Sequence, residues 1–304
     1  MKKIPDKLGP LVSVIMNCYN GEKYLRESIC SVINQTYKNW EIIFWDNQSS
    51  DNSKKIFSEF KDKRFKYYFS KEHTSLYKAR NEAIKISNGD IIAFLDTDDW
   101  WDEYKLEKQV DLFQDDSVGL VYSNCYLFYE NDKKKKIFKN KILKSGYITK
   151  DLFKSYDIGI LTVLLRKEAY NSVSGFNNQY NLIGDFDLFI RLSLKWKINC
   201  VQEPLAYYRI HNKNYSFINN ITEIEELESW ITDEKNTSNE NLKSYLYFIN
   251  QRITFLKTIR YINEGKLKKA IKNIFFFPIN FNKIKLILYI ILPKKFLSKI
   301  KRLI

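Results

Sequence analysis

The sequence contains few residues that break or cross-link a chain. Its 304 residues include nine glycines, five prolines and four cysteines. So little glycine and proline excludes a collagen-like or low-complexity chain. The cysteines form no Cys-x-x-Cys pair, and three of them lie in apolar runs. They therefore predict buried free thiols in a reducing, cytoplasmic compartment. The cysteines are Cys18, Cys30, Cys125 and Cys200.

Long apolar runs are also missing. No window of 18 residues is apolar throughout, so we expect no membrane-spanning helix. The first ten residues contain no continuous apolar run, which argues against a signal peptide. Hydrophobic residues still make up 44% of the chain and aromatic residues 16%. This composition predicts a folded protein with a sizeable core.

Positive charge is concentrated at one end of the chain. The formal net charge is +14, and eleven basic residues but no acidic ones follow Glu264. Residues 1–264 therefore carry a net charge of only +3. This distribution argues against a body that binds nucleic acid and predicts a basic C-terminal appendage.

The first hundred residues alternate short apolar strands with helices of about ten residues. This alternation predicts a doubly wound α/β sheet, whose ligands bind beyond the carboxyl ends of the parallel strands. Polar clusters at 17–20, 46–51 and 96–99 follow three of the strands, so we expect one crevice to collect them. The first turn has no Gly-x-Gly-x-x-Gly, which argues against an NAD-binding domain. The predicted strands are Val12–Met16, Glu41–Trp45, Phe65–Phe69 and Asp90–Leu95.

The second half predicts a mixed arrangement of strands and helices. Residues 131–136 are interpreted as a lysine-rich turn, with 137–143 as the returning strand of a hairpin. Residues 160–165 predict a strand, 198–201 and 205–209 predict two more, and the chain beyond 216 is helical in pattern. We therefore predict a domain at 1–217 and a helical region at 218–304.

The acidic turn after the fourth strand is the strongest chemical signal. Asp96, Asp98 and Asp99 place three carboxylates within four residues. Their mutual repulsion is relieved by a cation, and hard oxygen ligands suit Mg²⁺ or Mn²⁺. The alternative is that Asp98 or Asp99 caps the helix that begins near Glu103.

Several segments together resemble the family 2 glycosyltransferases. They are Val12–Asn20 (VSVIMNCYN), Ser31–Tyr37 (SVINQTY), Asp46–Asp51 (DNQSSD), Ala79–Ile84 (ARNEAI) and Leu95–Trp101 (LDTDDWW). The resemblance spans residues 11 to about 217. It implies a GT-A fold and an inverting transfer of sugar from a nucleotide-diphosphate donor to a saccharide acceptor.

The resemblance also implies roles in donor binding. Asn17 and Tyr19 match positions that line the base and ribose. Asp46 and Asn47 match an Asp-Asp pair whose second member reads a uracil ring, and asparagine at 47 is a departure from that pair. Arg80 matches an arginine near the base or pyrophosphate. The alternative interpretation is that Arg80 forms a salt bridge on the surface of its helix.

The metal site is implied by the same resemblance. Asp98 matches the acid near the ribose and metal, and Asp99 matches the direct metal ligand. Asp96 matches a ribose partner or a residue behind the metal ligands. His211 matches a histidine near the metal or pyrophosphate, and an imidazole can ligate a divalent ion or, when protonated, hold phosphate.

Gly184-Asp185-Phe186-Asp187 matches the family pattern Glu-Asp-x-Asp, in which the first aspartate is the catalytic base. Gly184 departs from the pattern, and Asp185 is retained. An inverting displacement needs such a carboxylate opposite the leaving group to take the acceptor hydroxyl's proton. The alternative is an acidic residue favoured by the dipole at a helix N-terminus.

Residues 265–304 combine lysines with apolar residues, as does a helix that lies in the headgroup plane of an anionic membrane. The alternative is a helix that packs on the protein's own core. Lipid-linked acceptors are common in the family. We therefore predict a peripheral enzyme at the inner face of the cell membrane.

The sequence as a whole predicts a metal-dependent, inverting glycosyltransferase. We expect a donor of the UDP-sugar type and a lipid-linked saccharide acceptor, in the synthesis of lipopolysaccharide, O-antigen or capsule. Two alternatives are a sugar nucleotidyltransferase and a catalytically silent scaffold that binds sugar nucleotide or membrane. The first loop has no glycine-rich phosphate motif with lysine, which argues against the nucleotidyltransferase.

Overall fold

The computed structural model of the chain describes residues 9–212, 214, 220–235 and 240–291. The chain divides into two compact units, residues 1–214 and 215–304. The predicted boundary at 217/218 and the basic residues from Lys294 to Arg302 lie outside the described residues.

The first unit contains a mixed nine-stranded sheet with the strand order β3-β2-β1-β4-β8-β6-β9-β5, and β7 pairs with β6. Strands β1 to β4 are parallel, β8 is antiparallel to β4 and β6, and β9 runs parallel to β6. The strands are β1 (Val12–Cys18), β2 (Trp40–Asp46), β3 (Phe65–Phe69), β4 (Ile91–Phe94), β5 (Trp100–Trp101), β6 (Val118–Tyr129), β7 (Lys134–Ile137), β8 (Leu164–Arg166) and β9 (Lys197–Ile210).

Helices connect these strands, as the alternation predicts. They are α1 (Leu25–Ile33), α2 (Ser53–Ser58), α3 (Leu76–Lys85), α4 (Lys105–Val110), α5 (Thr149–Lys154), α6 (Lys167–Ser172) and α7 (Gly184–Ser193). Helix α1 shows how the sequence dictates packing, because Leu25, Ile29 and Val32 recur at helical spacing and are fully buried. They join alternate residues of β1 in one hydrophobic core.

The second half of this unit differs from the sequence prediction at three places. The lysine-rich turn predicted at 131–136 ends at Lys133, and its Lys134–Lys136 segment belongs to β7, which pairs with the end of β6. Backbone pairing determines this strand, and lysines are common on sheet edges because they discourage further pairing. Residues 197–210 form one strand rather than two, because Pro204 sits at a register irregularity opposite Asn124. The predicted strand at 160–165 begins as a short 3₁₀ turn, Ile160–Thr162.

The second unit is helical in its described parts. Its helices are α8 (Asn220–Lys235), α9 (Glu240–Asn263), α10 (Leu267–Phe276) and α11 (Phe281–Ile291). A small apolar cluster joins the last three of them. It consists of Ile274, Phe277 and Leu286, with Phe255, Ile259 and Ile290 packed against them.

A buried carboxylate links the starts of the parallel strands. Glu41 accepts hydrogen bonds from Ser13 Oγ (2.6 Å), the Asn88 backbone N–H (2.7 Å) and Lys66 Nζ (2.5 Å). Burial by itself raises the pKa of Glu41, but the bonds from Lys66, Ser13 and Asn88 outweigh it and hold the pKa below its usual range.

We predict that Glu41→Gln lowers the free energy of unfolding at pH 7 by about 1–3 kcal/mol. Because the folded-state pKa is depressed, the ionised Glu41 stabilises the wild-type protein above its unfolded-state pKa. This contribution is lost as the pH falls through the folded-state pKa. Urea unfolding at pH 7 and pH 4 checks the prediction. The difference between the two proteins should shrink at the lower pH, and a constant difference would contradict the assignment.

Candidate active site

The loops after β1 and β2 are joined by hydrogen bonds at one edge of the sheet. Asn20 Oδ1 accepts from the Ser50 backbone N–H at 2.8 Å, and the Asn20 N–H donates to Ser49 Oγ at 3.0 Å. Asn20 itself has a positive φ of 54°, which asparagine tolerates well. Two of the three polar clusters expected in the crevice therefore meet here.

An aromatic ring and an amide mark the part of this edge that follows β1. The Tyr19 side chain is 58% exposed, and its ring centroid lies 4.4 Å from that of His73. Both polar atoms of the Asn17 side chain are shielded from solvent, and neither has a hydrogen-bond partner in the part of the chain that the structure describes. Buried polar groups normally have partners, so Asn17 is a candidate ligand contact.

Asp46 and Asn47 hold loops in place. Asp46 is buried and accepts hydrogen bonds from the Ser49 N–H and from Tyr67 Oη, both at 2.7 Å. The Asn47 amide donates to the Thr74 carbonyl oxygen at 2.8 Å and accepts from the Thr74 N–H at 3.1 Å. Both side chains thus have partners within the chain. Their predicted contact with the nucleotide stays a prediction.

His73 lies in an exposed loop beside Asn47. Its Nδ1 lies 2.9 Å from the Asn47 carbonyl oxygen, which places the imidazole against Tyr19.

Arg80 on α3 is buried and forms an ion pair with Asp96 in the acidic turn. The distance from Nη2 to Oδ1 is 2.7 Å, and Asp96 is about one-third exposed. The alternative of a surface salt bridge does not describe this arginine, whose side chain is only 3% exposed. The pair connects α3 to the residues that follow β4.

Asp98 and His211 form the second pair at the acidic turn. His211 Nε2 lies 3.0 Å from Asp98 Oδ2, and both side chains are mostly buried. Burial, reinforced by the nearby Asp96 carboxylate, raises the pKa of Asp98. The turn thus concentrates negative charge in a place where water screens it poorly.

Asp99 is directed into the protein. It is 1% exposed, and its Oδ1 accepts a hydrogen bond of 2.8 Å from the Arg209 backbone N–H on β9. Burial raises its pKa well above the usual range, with repulsion from Asp98 and Asp96 adding to the effect. The arrangement favours Asp98 over Asp99 as the carboxylate available to a ligand. The metal-ligand role predicted for Asp99 stays a prediction.

Asp185 lies at the start of α7, close to α3. Its Oδ1 accepts from the Phe186 N–H at 2.8 Å and lies 3.4 Å from Tyr77 Oη, which also lies 3.2 Å from the Leu182 carbonyl oxygen. The Arg80 guanidinium carbon is 5.4 Å from the centre of the Tyr77 ring. Tyr77 and Arg80 therefore connect Asp185 to Asp96 through buried side chains.

The departure at Gly184 has a steric reason. A Cβ atom at this position would meet the Tyr77 ring at 2.5 Å. The tyrosine ring therefore fills the space that a side chain at 184 would need.

Asp187 has a structural partner. Its carboxylate pairs with Arg191 one turn later at 2.6 Å, and Arg191 Nη2 also donates to the Gly175 carbonyl oxygen at 2.8 Å. These contacts fasten α7 to the turn that follows α6.

The acidic turn suits a divalent cation. Asp98 and His211 offer an oxygen and a nitrogen donor side by side, next to carboxylates that repel one another. Among the described residues, no group of three or more His, Cys, Asp and Glu side chains is arranged to hold a metal ion. This chain would supply two ligands, Asp98 and His211, and the remaining positions would be open to phosphate oxygens or water.

Comparison with known proteins defines the class. Residues 13–174, more than half of the chain, match the family described as Glycosyl transferase family 2. The chain belongs to this family and is a glycosyltransferase with a GT-A fold followed by a helical region.

Three known proteins are similar to this chain in sequence or in fold. It is 38% identical over 165 residues to the Escherichia coli UDP-Glc:alpha-D-GlcNAc-diphosphoundecaprenol beta-1,3-glucosyltransferase WfgD, a match that covers 54% of this chain and 63% of WfgD. It resembles S. aureus TarS 1-349, crystallised with UDP-GlcNAc, with a TM-score of 0.65 and 14% identity over 86% of this chain and 88% of TarS. It also resembles the Pyrobaculum calidifontis mannosyltransferase PcManGT, crystallised with GDP-Man and Mn²⁺, with a TM-score of 0.64 and 14% identity over 88% and 75% of the two chains.

Proposed function

We propose that the protein is a metal-dependent, inverting glycosyltransferase that transfers a sugar from a UDP-sugar to a lipid-linked saccharide. The product would contribute to a bacterial cell-surface polysaccharide. The observation that carries the proposal is the chain of buried contacts from Asp96 through Arg80 and Tyr77 to Asp185. It connects the acidic turn, where a diphosphate would bind, to a carboxylate suited to act as a base.

Asp185 is the general base in this proposal. Its carboxylate takes the proton of the acceptor hydroxyl as that oxygen attacks the anomeric carbon. The bond between the anomeric carbon and the diphosphate oxygen breaks, and the nucleoside diphosphate leaves with the bonding electron pair. Attack from the face opposite the leaving group inverts the configuration.

The other residues bind the donor. Tyr19 and Asn17 contact the base and ribose, and the loops held by Asp46 and Asn47 shape that pocket. Arg80 and Asp96 approach the diphosphate and ribose, with the positive charge of Arg80 facing the growing negative charge. Asp98 and His211 would hold Mn²⁺ or Mg²⁺, with Asp99 behind them in the turn, and such an ion would stabilise negative charge on a departing diphosphate.

The choice of a UDP-sugar and a lipid-linked acceptor rests on relatives. The name of WfgD gives UDP-Glc as its donor and a diphosphoundecaprenol-linked sugar as its acceptor, and TarS was crystallised with UDP-GlcNAc. These are properties of those proteins, and we extend them to this chain as a proposal.

A donor screen tests the proposed reaction. The full chain is incubated with Mn²⁺ and individual UDP-, GDP-, CDP- and dTDP-sugars, and release of nucleoside diphosphate is measured with and without a polyprenyl-diphosphate-linked N-acetylhexosamine. We expect release with a UDP-sugar, accelerated by the acceptor and stopped by EDTA. Release that needs no metal, or occurs only with another base, would refute that part of the proposal.

The second unit offers a surface for an anionic membrane, which we call the basic-apolar surface. None of the helices in the described ranges is both long and apolar enough to cross a bilayer. Helices α10 and α11, with the segment between them, nevertheless expose ten large apolar side chains, and exposed apolar patches of this kind mark interaction sites. They are Leu267, Ile271, Phe275, Phe276, Ile279, Phe281, Ile284, Ile287, Leu288 and Ile291.

The charge of the basic-apolar surface complements anionic lipid. Six lysines and no acidic residues lie between Gly265 and Ile291. A basic residue near an anionic membrane contributes about 1 kcal/mol to binding, and apolar side chains beside it can enter the headgroup region. Such docking would bring the enzyme to the membrane that holds a lipid-linked acceptor.

We predict that the double variant Phe275→Ser/Phe276→Ser binds anionic vesicles at least tenfold more weakly than the wild-type protein. Both side chains are 75% exposed, so their removal should cost little stability. Burying a phenylalanine contributes about 1.5–3 kcal/mol, and a factor of ten corresponds to about 1.4 kcal/mol. Sedimentation with vesicles containing 30% phosphatidylglycerol measures the effect.

The matched control is Ile142→Ser, which removes an apolar side chain of similar exposure from the first unit. It should sediment with vesicles as the wild-type protein does. Equal sedimentation of the double variant and the wild-type protein would rule out the basic-apolar surface as the docking site.

A further inference from the structure

Arg209 occupies the centre of a network at the end of β9. Its side chain is almost completely buried, and its Nε donates to the Asp98 carbonyl oxygen at 2.8 Å. Its Nη2 forms an ion pair with the Glu27 carboxylate on α1. Its backbone N–H is the donor to Asp99 Oδ1 described above. Arg209 thus contacts two of the three aspartates of the turn, Asp98 and Asp99, and the first helix.

Stacking extends this network to His211. The Arg209 guanidinium carbon lies 4.4 Å from the ring centre of Tyr24 and 4.4 Å from that of Trp100. Tyr24 in turn stacks on the His211 ring, with 5.4 Å between centroids and 28° between planes. The Arg209 guanidinium therefore contacts Trp100, which follows the acidic turn, and the Tyr24 ring that stacks on His211.

Asp98 and His211 are thus both held by the Arg209 side chain. A hydrogen bond holds the backbone of Asp98, and stacking through Tyr24 supports the His211 ring. Without the guanidinium, the Asp98 carbonyl oxygen would lose its donor and Glu27 its partner. Tyr24 would lose one of the surfaces that determine its position. Lysine would keep the charge but not the planar fork or the stacking surface.

We propose that Arg209 is a positioning residue that keeps Asp98 and His211 in place to receive a divalent cation. The proposal rests on the metal dependence put forward above, and it adds a residue that the sequence motifs had not singled out. Arg209 does not touch the donor or the ion in this scheme. Its side chain acts through the backbone of Asp98 and through Tyr24, and its backbone N–H holds the Asp99 carboxylate.

The test compares Arg209→Lys with the wild-type full chain in Mn²⁺ binding. Free Mn²⁺ is measured by electron paramagnetic resonance in the presence of UDP, so the readout does not depend on turnover. We expect the dissociation constant for Mn²⁺ to rise by about 10- to 100-fold, the usual effect of removing a residue that orients metal ligands. The melting temperature is recorded for every variant.

Arg166→Lys is the matched control. Arg166 is also largely buried and also donates to backbone carbonyl oxygens, those of Val118 and Phe113, but it lies on β8 away from the acidic turn. The Arg166→Lys variant should be less stable than the wild-type protein but should bind Mn²⁺ with the same affinity. If Arg209→Lys does not fold, Tyr24→Leu is measured instead, with the same expected direction.

The outcomes separate this proposal from the proposed function. Weaker Mn²⁺ binding in Arg209→Lys but not in Arg166→Lys supports the positioning role. Wild-type affinity in Arg209→Lys, or an equal loss in both variants, overturns it while leaving the enzyme metal-dependent. A wild-type protein that binds no Mn²⁺ overturns the proposed metal dependence and this inference with it.

Discussion

Asp185→Asn is expected to lower kcat for sugar transfer by about 10²- to 10⁴-fold, the range contributed by general acid–base catalysis. Asparagine keeps an oxygen that can accept the Phe186 N–H, so the start of α7 should remain intact. It cannot take a proton from the acceptor hydroxyl. Transfer kinetics measure the loss, and calorimetric titration with UDP should show unchanged donor-side affinity.

Asp187→Asn, two residues along the same helix, provides the comparison. It weakens the ion pair with Arg191 and should therefore lower the melting temperature while reducing kcat far less. A kcat of wild-type size in Asp185→Asn would remove Asp185 from the reaction. A similar loss of kcat in both variants would mean that α7 had been displaced.

Asp98→Asn is expected to lower kcat/KM by about 10²- to 10³-fold. A bound metal contributes several kcal/mol of charge stabilisation, and each 1.36 kcal/mol corresponds to a factor of ten in rate. The amide is a poorer ligand than the carboxylate beside His211 Nε2. Rates measured over a range of Mn²⁺ concentrations should show that a higher concentration is needed for half-maximal activity.

Asp99→Asn distinguishes a ligand from a residue that holds the turn. The amide oxygen can still accept the Arg209 N–H, and burial already disfavours the charged form of Asp99. We expect its loss of kcat/KM to be at least tenfold smaller than that of Asp98→Asn. A loss as large as that of Asp98→Asn would restore Asp99 as the direct ligand.

Strands β1, β2 and β4 were predictable because nearly all of their residues are buried, on both faces of the sheet. Val12–Met16 is apolar apart from Ser13, and Glu41–Trp45 is apolar apart from Glu41. Their parallel pairing places the following polar loops at the same edge. The strand β7 was not predictable in this way. Its lysines show no apolar alternation, and the strand forms because its backbone pairs with β6.

The candidate site was predictable where a motif is local in sequence. Asp98, Asp185 and His211 each stand in a short recognisable segment. Tyr77 and Arg209 do not, because their roles arise from partners about 110 residues away, Asp185 and Asp98. The hydrogen bond from Asn47 to the Thr74 carbonyl oxygen could not be predicted either, because it depends on the conformation of a loop.

The close fit between Gly184 and the Tyr77 ring makes the two positions interdependent in any redesign of this enzyme. Introducing an acidic residue at 184, to match the commoner pattern, would force the aromatic ring out of its place. Tyr77 would also have to be replaced by a smaller residue, and this replacement would remove the hydroxyl that lies near Asp185. Replacing Gly184 by an acidic residue would therefore require a second, simultaneous replacement at Tyr77.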